Sequence, residues 1–392
     1  MRVYFDYNAT TPPAPEVVDA VAAVTRDVFG NASSVHFFGQ QAKAAIDQAR
    51  SSIAELIRAE PSEVVFTAGG TESDNFAIRG AADALETSGA RRHLVVSAIE
   101  HEAVLNTVKA LARRGWSTTL IPVDATGVVS RERVRESIRP DTAIVSVMLA
   151  NNEIGTVQPV ADIAKIAHEC GALMHTDAVQ AAGKMPIDVR ALGVDLLSLS
   201  AHKFNGPKGT GVLFIRRGTR MLPMLTGGKH ERNRRAGTEN TAAIAGMGVA
   251  ARLALGKLDG EAVRLATLRD RLEAGVLASV SGTAVNGAGS PRVANTTNIS
   301  FDRIEAESLL IALDLEGIAV STGSACSSGT LEPSHVLKAM GLPTHRTQNS
   351  LRFSLGSYST DAEVDRVLDT LPRLVQKLRG LSRAGAGAAH TR

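Results

Sequence analysis

Short apolar runs alternate with longer amphipathic segments between residues 63 and 215, and this alternation constrains the fold more than any other feature. Several runs are apolar on both faces, which is typical of strands buried inside a parallel sheet. The segments between them are long enough for helices that cross from one parallel strand to the next. The pattern predicts the α/β class, with a mostly parallel central sheet covered by helices. The predicted strands are EVVFT (63–67), HLVVS (93–97), AIVSVMLA (143–150), ALMHTD (172–177), VDLLSLS (194–200) and TGVLFI (210–215).

The pattern changes after a long helical stretch at residues 240–280. Strands TTNISF (296–301) and LRFSL (351–355) then alternate with predicted helices at 304–315 and 361–378, which indicates a smaller α+β domain. A chain of 392 residues is also long enough for two domains. We expect a large domain of residues 14–259, a small domain of residues 1–13 and 260–380, and a loose Gly/Ala-rich tail at 381–392.

Composition argues against several classes of protein. A net charge of +3 and 4% aromatic residues provide neither a concentrated positive field nor stacking platforms for nucleic acid. Asp6 precedes any apolar run, and no uninterrupted apolar stretch approaches the length of a membrane span. Two cysteines cannot build a disulfide framework. We therefore expect a cytoplasmic enzyme in a reducing compartment, with neither a membrane nor a nucleic acid as partner.

Polar residues follow three of the predicted strands, where ligands of open α/β sheets bind. In AGGTES, glycines precede Thr71 at a helix start, which suits a phosphate but equally an ordinary helix cap. Asp177 ends an apolar strand, so its carboxylate needs a positive partner such as a protonated pyridine nitrogen, a helix cap or a surface cation. Lys203 follows residues 194–200 near the sheet edge, where a lowered pKa would make its amine nucleophilic; a solvated lysine is the alternative.

Together the three features match what pyridoxal phosphate requires from a protein: a phosphate cradle, a carboxylate and an amine. Nucleotide cofactors are disfavoured, because neither a dinucleotide-binding G-x-G-x-x-G nor a G-x-x-x-x-G-K-[ST] motif occurs. SAHK and SDN match pieces of penicillin-binding serine acyltransferases, but their order along the chain is reversed, so we interpret the match as chance.

A longer series of motifs points to one family. FDYNATTPP, GNASSVH, TAGGTESDN, AIEHEAV, ANNEIGTVQPV, HTDAVQ, SAHKFNGPKGTG, GGKHERNRRAGTEN, GSACSSG and LRFSLG occur in this order over residues 4–375. In these motifs the chain resembles the cysteine desulfurases, class V aminotransferases with the aspartate aminotransferase fold (fold type I), and in particular the long-loop group associated with iron–sulfur cluster assembly. The resemblance implies pyridoxal 5'-phosphate as cofactor, L-cysteine as substrate, L-alanine as product, and a protein-bound persulfide passed to an iron–sulfur scaffold or another acceptor.

The resemblance also implies roles for individual residues. Three matching residues are catalytic: the Schiff-base lysine Lys203, the ring-stacking acid–base residue His101 and the sulfur-accepting nucleophile Cys326. The resemblance implies a transient iron–sulfur ligand role for Cys326, with no permanent metal site. The matching cofactor ligands are Asp177 for the pyridine nitrogen, Gln180 and Asn152 for the phenolic oxygen, and Gly70, Thr71, Ser200 and His202 for the phosphate.

The remaining matches concern the substrate and the partner subunit. Arg352 resembles the arginine that clamps the substrate carboxylate, with Asn31 and Asn152 nearby. Thr238 matches a residue that reaches the phosphate of the other subunit, which implies a homodimer.

Two features depart from the family pattern. Ala32 stands where many relatives have proline, for which we expect only a local loop effect. The Gly/Ala-rich tail differs from the structured C-terminus with which relatives dock a scaffold, so the sequence leaves the sulfur acceptor open among a general iron–sulfur scaffold, a nitrogenase-specific one and tRNA thiolation.

Three alternative functions remain. A selenocysteine lyase would share the cysteine. Another class V aminotransferase would share the lysine and aspartate but would need no thiol on a mobile loop. A non-catalytic sulfur-carrier or scaffold subunit would not need the lysine, histidine, aspartate and arginine together. Cys170, at a predicted helix end, is interpreted as an inert structural thiol.

Overall fold

The computed structural model describes residues 2–86, 91–323 and 333–388, with side chains described as far as residue 381. The strands are β1 (Val3–Tyr4), β2 (Val64–Thr67), β3 (His93–Ser97), β4 (Ser117–Ile121), β5 (Thr142–Ser146), β6 (Leu173–Asp177), β7 (Leu196–Ser200), β8 (Gly211–Ile215), β9 (Thr283–Asn286), β10 (Thr296–Phe301), β11 (Ile318–Ala319) and β12 (Ser350–Ser354).

The helices follow the same numbering. They are α1 (Pro15–Asp27), α2 (Phe37–Ile57), α3 (Gly70–Glu86), α4 (Glu102–Ala112), α5 (Arg131–Ser137), α6 (Val160–Glu169), α7 (Val189–Leu192), α8 (Thr241–Ser279), α9 (Ala306–Leu315), α10 (His335–Ala339), α11 (Thr344–Gln348) and α12 (Asp361–Ala388). Short 3-10 turns occur at Pro61–Glu63, Ala201–Lys203 and His230–Asn233.

The central sheet has seven strands in the order β2-β8-β7-β6-β5-β3-β4. Only β8 runs antiparallel to its neighbours, so the predicted mostly parallel α/β fold is confirmed. Successive side chains of a strand point to opposite faces. Val64 and Phe66 therefore belong to an apolar cluster with residues of α2, α6 and α8, whereas Val65 belongs to one with residues of α3 and α4.

The predicted strands are present, although AIVSVMLA is extended only as far as Ser146. The prediction missed β4, the edge strand STTLI. Most of its residues are exposed or half-buried and polar, so it lacks the continuous apolar run that revealed the others.

A second apolar core lies around the antiparallel sheet β12-β10-β9. The second half of α8 contributes Leu268 and Leu272 to this core, whereas its first half contributes Ile244 and Met247 to the core of the central sheet. Phe5, next to the pairing of β1 with β11, also lies in the second core. The helix thus passes without interruption through the predicted boundary at residues 259 and 260, and the division into domains stays a prediction.

Two helices differ from what the sequence predicted. α12 begins at Asp361 as expected but continues to Ala388, past residue 378 and into the predicted loose tail at 381–392. Alanine, the strongest helix former, is frequent in residues 381–388, and the proline inside α12, Pro372, lies before them. Within the described residues, α8 alone is long and apolar enough to cross a membrane. The sequence did not indicate this, because charged residues interrupt the apolar runs of α8. It packs against α1 and α2, and long core helices pass the same test.

A buried ion pair fastens the loop before α8 to the central sheet. Arg50 on α2 donates two hydrogen bonds to the Glu231 carboxylate, each 2.8 Å long, and a third to the carbonyl oxygen of Val64 at 2.8 Å. Glu231 also accepts the Phe66 N–H at 2.9 Å. Both charged side chains are at most 8% exposed, so each depends on the other for compensation.

We expect Arg50→Met to lower the free energy of unfolding by about 3–5 kcal/mol, because it leaves the Glu231 charge buried and unpaired. Urea denaturation followed by circular dichroism measures the change. Arg50→Met/Glu231→Gln should recover part of the loss, and Arg26→Met, in an exposed pair, should change nothing measurable. An Arg50→Met variant as stable as the wild type would contradict the assigned role.

Candidate active site

Five strands of the central sheet end at one edge. β3, β5, β6 and β7 are parallel, and β2 has the same direction because both β2 and β7 pair antiparallel with β8. Their last residues and the segments that follow carry the predicted residues Gly70, His101, Asn152, Asp177 and Lys203. The fold therefore brings to one edge residues that lie far apart in sequence.

The segment after β2 forms a narrow backbone cradle. α3 begins at Gly70, so its first N–H groups have no partner within the helix and its positive dipole end lies there. A Cβ atom on Gly70 would lie 2.9 Å from Val179 Cγ2 and 3.5 Å from Ser200 Cβ. Only glycine lets these segments approach so closely. Ser200 is buried, whereas the Thr71 side chain faces solvent.

His202 lies in the 3-10 turn Ala201–Lys203, directly after β7. Its Nδ1 lies 3.1 Å from Thr10 Oγ1, and its carbonyl oxygen accepts the Thr11 hydroxyl at 2.8 Å. Burial, together with the nearby Lys203 and Lys208, lowers the pKa of His202 to about 4. The imidazole is therefore neutral near pH 7 and can donate one hydrogen bond.

Asp177 provides a buried carboxylate at the end of β6. Its Oδ1 accepts the Val179 N–H at 2.9 Å, and the side chain is shielded from solvent. Burial raises the pKa of Asp177, while nearby His101 and Lys203 act in the opposite direction. A buried carboxylate in this position favours a cationic or N–H partner.

Two further buried carboxyl groups lie near enough to Asp177 to feel its charge, and the sequence did not reveal them. Burial, and then the charge of Asp177, raise the pKa of Asp74 well above its usual value. Burial raises the pKa of Glu100 to about 8, although its Oε1 accepts the Met148 N–H at 2.7 Å. Among the described residues, Asp74 Oδ1 and Glu100 Oε2 have no hydrogen-bond partner. Both groups therefore favour the protonated form, which spares the site two more buried negative charges.

Lys203 has the lowered pKa that its position predicted. Its Nζ donates to the carbonyl oxygens of Asn8 at 2.6 Å and Ala9 at 2.7 Å. Burial, and then the charge of Arg352, lower the pKa of Lys203 to about 8. A substantial fraction of the amine is therefore unprotonated and nucleophilic slightly above neutral pH.

Arg352 lies on β12 and is held from two sides. One terminal nitrogen donates to Asp6 Oδ1 at 2.6 Å and the other to the carbonyl oxygen of Asn152 at 2.9 Å. The guanidinium is buried, and its Nε has no partner within the described part of the chain. Asp6 was missed as a site residue, and only its place in the FDYN motif could have indicated it.

His101 lies at the rim of the site and caps α4. Its Nδ1 accepts the Ala103 N–H at 3.1 Å, so the neutral ring carries its proton on Nε2. The side chain is exposed, which leaves that proton accessible to a ligand.

Two predicted residues, Asn31 and Thr238, are not brought into this cluster, and the structure does not describe a third. Asn31 is exposed, and its Oδ1 accepts the Ser33 N–H at 2.9 Å within its own loop. Thr238 is exposed in the loop before α8. Cys326 lies outside the described residues.

The residues at the edge fit pyridoxal phosphate. The Gly70 cradle suits its phosphate, the buried Asp177 carboxylate suits its ring nitrogen, and the amine of Lys203 suits its aldehyde. Gln180 and Asn8, both buried, supply further amide groups, and Gln180 Nε2 donates to the carbonyl oxygen of Asn8 at 2.9 Å.

Known proteins are similar over nearly the whole chain. The family model "Aminotransferase class-V" matches residues 3–367. The cysteine desulfurase IscS of Dictyoglomus turgidum is 49% identical over 97% of this chain and 96% of its own. The IscS of Methanosarcina thermophila is 50% identical over 97% of this chain and 93% of its own.

Solved structures agree. A NifS-like protein superposes with a TM-score of 0.90 at 36% identity, covering 96% of this chain and all (100%) of its own. DndA from Streptomyces lividans gives a TM-score of 0.76 at 40% identity, with 88% and 97% covered. The chain therefore belongs to the class-V aminotransferase family and is a cysteine desulfurase that depends on pyridoxal phosphate.

Proposed function

We propose that this enzyme removes the sulfur atom of L-cysteine and releases L-alanine. The sulfur is carried as a persulfide on Cys326 and passed to an acceptor for iron–sulfur cluster assembly in the cytoplasm. The observation that carries the proposal is the amine of Lys203, with its lowered pKa, beside the buried Asp177 and Arg352. These three groups provide a base, an anionic anchor and a carboxylate clamp in one site.

Pyridoxal phosphate, when bound, accepts the electron pair that leaves the substrate carbon next to the amino group. We assign its phosphate to Gly70, Thr71, Ser200 and His202, its ring nitrogen to Asp177 and its phenolic oxygen to Gln180 and Asn152. The narrow cradle at Gly70 and the neutral imidazole of His202 support the first assignment. The burial of Asp177 and Gln180 supports the others.

Lys203 and His101 would handle the protons. Unprotonated Nζ of Lys203 accepts the proton from the substrate carbon, and the carbonyl oxygens of Asn8 and Ala9 hold the resulting ammonium. The neutral ring of His101 has its proton on Nε2, and His101 would act there as a proton carrier for the substrate thiol. Arg352 would bind the substrate carboxylate, with Asn31 and Asn152 nearby.

Cys326 would take the sulfur. Its thiolate attacks the sulfur of the substrate, so that an S–S bond forms and the C–S bond breaks. The electron pair of the C–S bond stays on the carbon fragment, which gains a proton and leaves as alanine. The assignment rests on the motif GSACSSG, whose small residues suit a loop that must reach two places.

An exposed aromatic cluster supports a homodimer. Phe29, Val35 and Phe37 are 71%, 92% and 68% exposed, and the rings of Phe29 and Phe37 lie 5.1 Å and 5.6 Å from that of Phe38. Large exposed apolar groups that adjoin one another mark interaction surfaces. Exposed Thr238 would reach the phosphate of the partner subunit in such a dimer.

Cys326→Ala should keep the visible absorbance of the bound cofactor but lose sulfide and alanine formation from L-cysteine by about a hundredfold or more, because no other thiol occupies that loop. The matched control is Cys170→Ala, whose thiol donates to the carbonyl oxygen of Ala167 at 3.0 Å and should be inert. Undiminished alanine and sulfide production by Cys326→Ala would refute the assigned nucleophile.

The rate at which the apoenzyme takes up pyridoxal phosphate should rise with pH, with a midpoint near 8 and a plateau above it. The reason is that only unprotonated Lys203 is nucleophilic. Well below this pH the rate should fall about tenfold per pH unit. Arg352→Gln should move the midpoint upward, since the arginine lowers the pKa of Lys203. Stopped-flow absorbance measures the rate, with exposed Arg26→Gln as control. Lys203→Ala should lose the absorption band of the lysine-linked cofactor, and an unchanged band of that kind in this variant would refute the lysine.

Phe37→Asp should weaken the dimer at least about tenfold, because a charge would enter the apolar contact. Light scattering during size-exclusion chromatography measures the mass. Leu381→Asp, which places a charge on another exposed apolar residue, should leave the mass unchanged. A wild-type monomer, or an unaffected Phe37→Asp dimer, would contradict the proposed surface.

A further inference from the structure

Lys184 is a lysine next to the site for which the mechanism above has no use. It follows β6 and lies four residues after Gln180. Its Nζ donates to Gln180 Oε1 at 2.7 Å and to Asn8 Oδ1 at 2.9 Å. Both acceptors belong to side chains that are at most 4% exposed.

These two hydrogen bonds determine how the Gln180 amide is oriented. The lysine side chain provides N–H donors, so the amide oxygen rather than its nitrogen must face it. Gln180 Nε2 consequently lies on the other side, where it donates to the carbonyl oxygen of Asn8 at 2.9 Å. An NH₂ group has two protons, so the second remains for a ligand.

Asn8 connects Lys184 to Lys203. Its carbonyl oxygen accepts from Lys203 Nζ at 2.6 Å as well as from Gln180. Its side-chain oxygen accepts from Asn295 Nδ2 at 3.1 Å in addition to Lys184. Lys203 therefore donates to the carbonyl oxygen of the same asparagine whose side-chain oxygen accepts from Lys184.

The surroundings of Lys184 favour an amine that donates hydrogen bonds over one that carries a positive charge. Burial, followed by the charges of Lys203 and Arg352, lowers its pKa well below the usual value. A neutral amine has two N–H groups, which equals the number of oxygens that it faces. Two well-directed hydrogen bonds are thus available in either protonation state.

We propose that Lys184 is a positioning residue, which aims a Gln180 N–H at the cofactor and fixes the Asn8 carbonyl that binds Lys203. This role rests on the proposed function, in which Gln180 and Lys203 both contact pyridoxal phosphate. Lys184 itself touches neither the cofactor nor the substrate in that function.

A double-mutant cycle tests whether Lys184 acts through Gln180. The cycle compares wild type, Lys184→Met, Gln180→Ala and the double variant in their dissociation constants for pyridoxal phosphate and in the visible spectra of the loaded enzymes. We expect Lys184→Met to weaken binding about tenfold and to shift the visible band. In the Gln180→Ala background the same substitution should weaken binding less than about twofold, because the group it positions is gone.

Two matched variants separate positioning from general damage. Lys184→Arg keeps two donors and lines a cavity of about 180 Å³ that can take its extra volume, so binding should stay within about threefold of wild type. Exposed Lys165→Met should leave affinity and spectrum unchanged. The thermal unfolding midpoint of each apoenzyme reports damage to the fold.

Additive effects in the cycle, or a Lys184→Met enzyme with wild-type affinity and spectrum, would overturn the role. If Lys184→Met does not fold, the cycle is run with Lys184→Gln, whose donor is one bond shorter, and the same criterion of non-additivity decides. A wild-type protein that fails to bind pyridoxal phosphate would instead defeat the proposed function. A wild type that binds it normally beside an unaffected Lys184→Met enzyme would defeat only the positioning role.

Discussion

The common direction of β2, β3, β5, β6 and β7 is the constraint on which the site depends. Parallel strands require helical crossovers, and these crossovers return each new strand with its carboxyl end at the same edge. Residues separated by more than a hundred positions in the sequence therefore meet at this edge because of the strand directions alone. β8, which runs the other way, supplies buried apolar side chains instead of site residues.

Burial of several ionisable groups gives this edge its chemistry. Desolvation is the largest cause of the raised pKa values of Asp177, Asp74 and Glu100 and of the lowered pKa values of Lys203 and Lys184. Burial shifts each group toward its neutral form, which favours protonated Asp74 and Glu100 and an unprotonated, nucleophilic Lys203. For Asp177, the charges of His101 and Lys203 oppose this shift. The same burial costs stability, which is why polar partners such as Asn8 surround these groups.

Sequence patterns predicted most of the framework and the residues at strand ends, because apolar runs reveal buried strands and the residue after each run is then known. Lys203 and Asp177 were predicted as site residues in this way. Asp6, Asn8 and Lys184 were missed because no periodicity marks them. Asp6 and Arg352 are 346 positions apart, and their contact follows from tertiary packing alone. β4 and the end of α12 were missed because exposure and alanine content, rather than apolar patterning, determine them.

The N-terminal segment couples the two cores at the point where the reaction would occur. Asn8 donates to the carbonyl oxygen of Asn152, beside the central sheet, and to Thr296 Oγ1 on β10 of the other core. Asp6 likewise engages Arg352 on β12. A shift of one core against the other would therefore disturb the carbonyl oxygens that hold Lys203. It would also disturb the ion pair between Asp6 and Arg352, the arginine proposed to bind the substrate carboxylate. Because residues 6–9 of one short segment hold both Lys203 and Arg352, movement of this segment would change the position of the base and the binding of the substrate together.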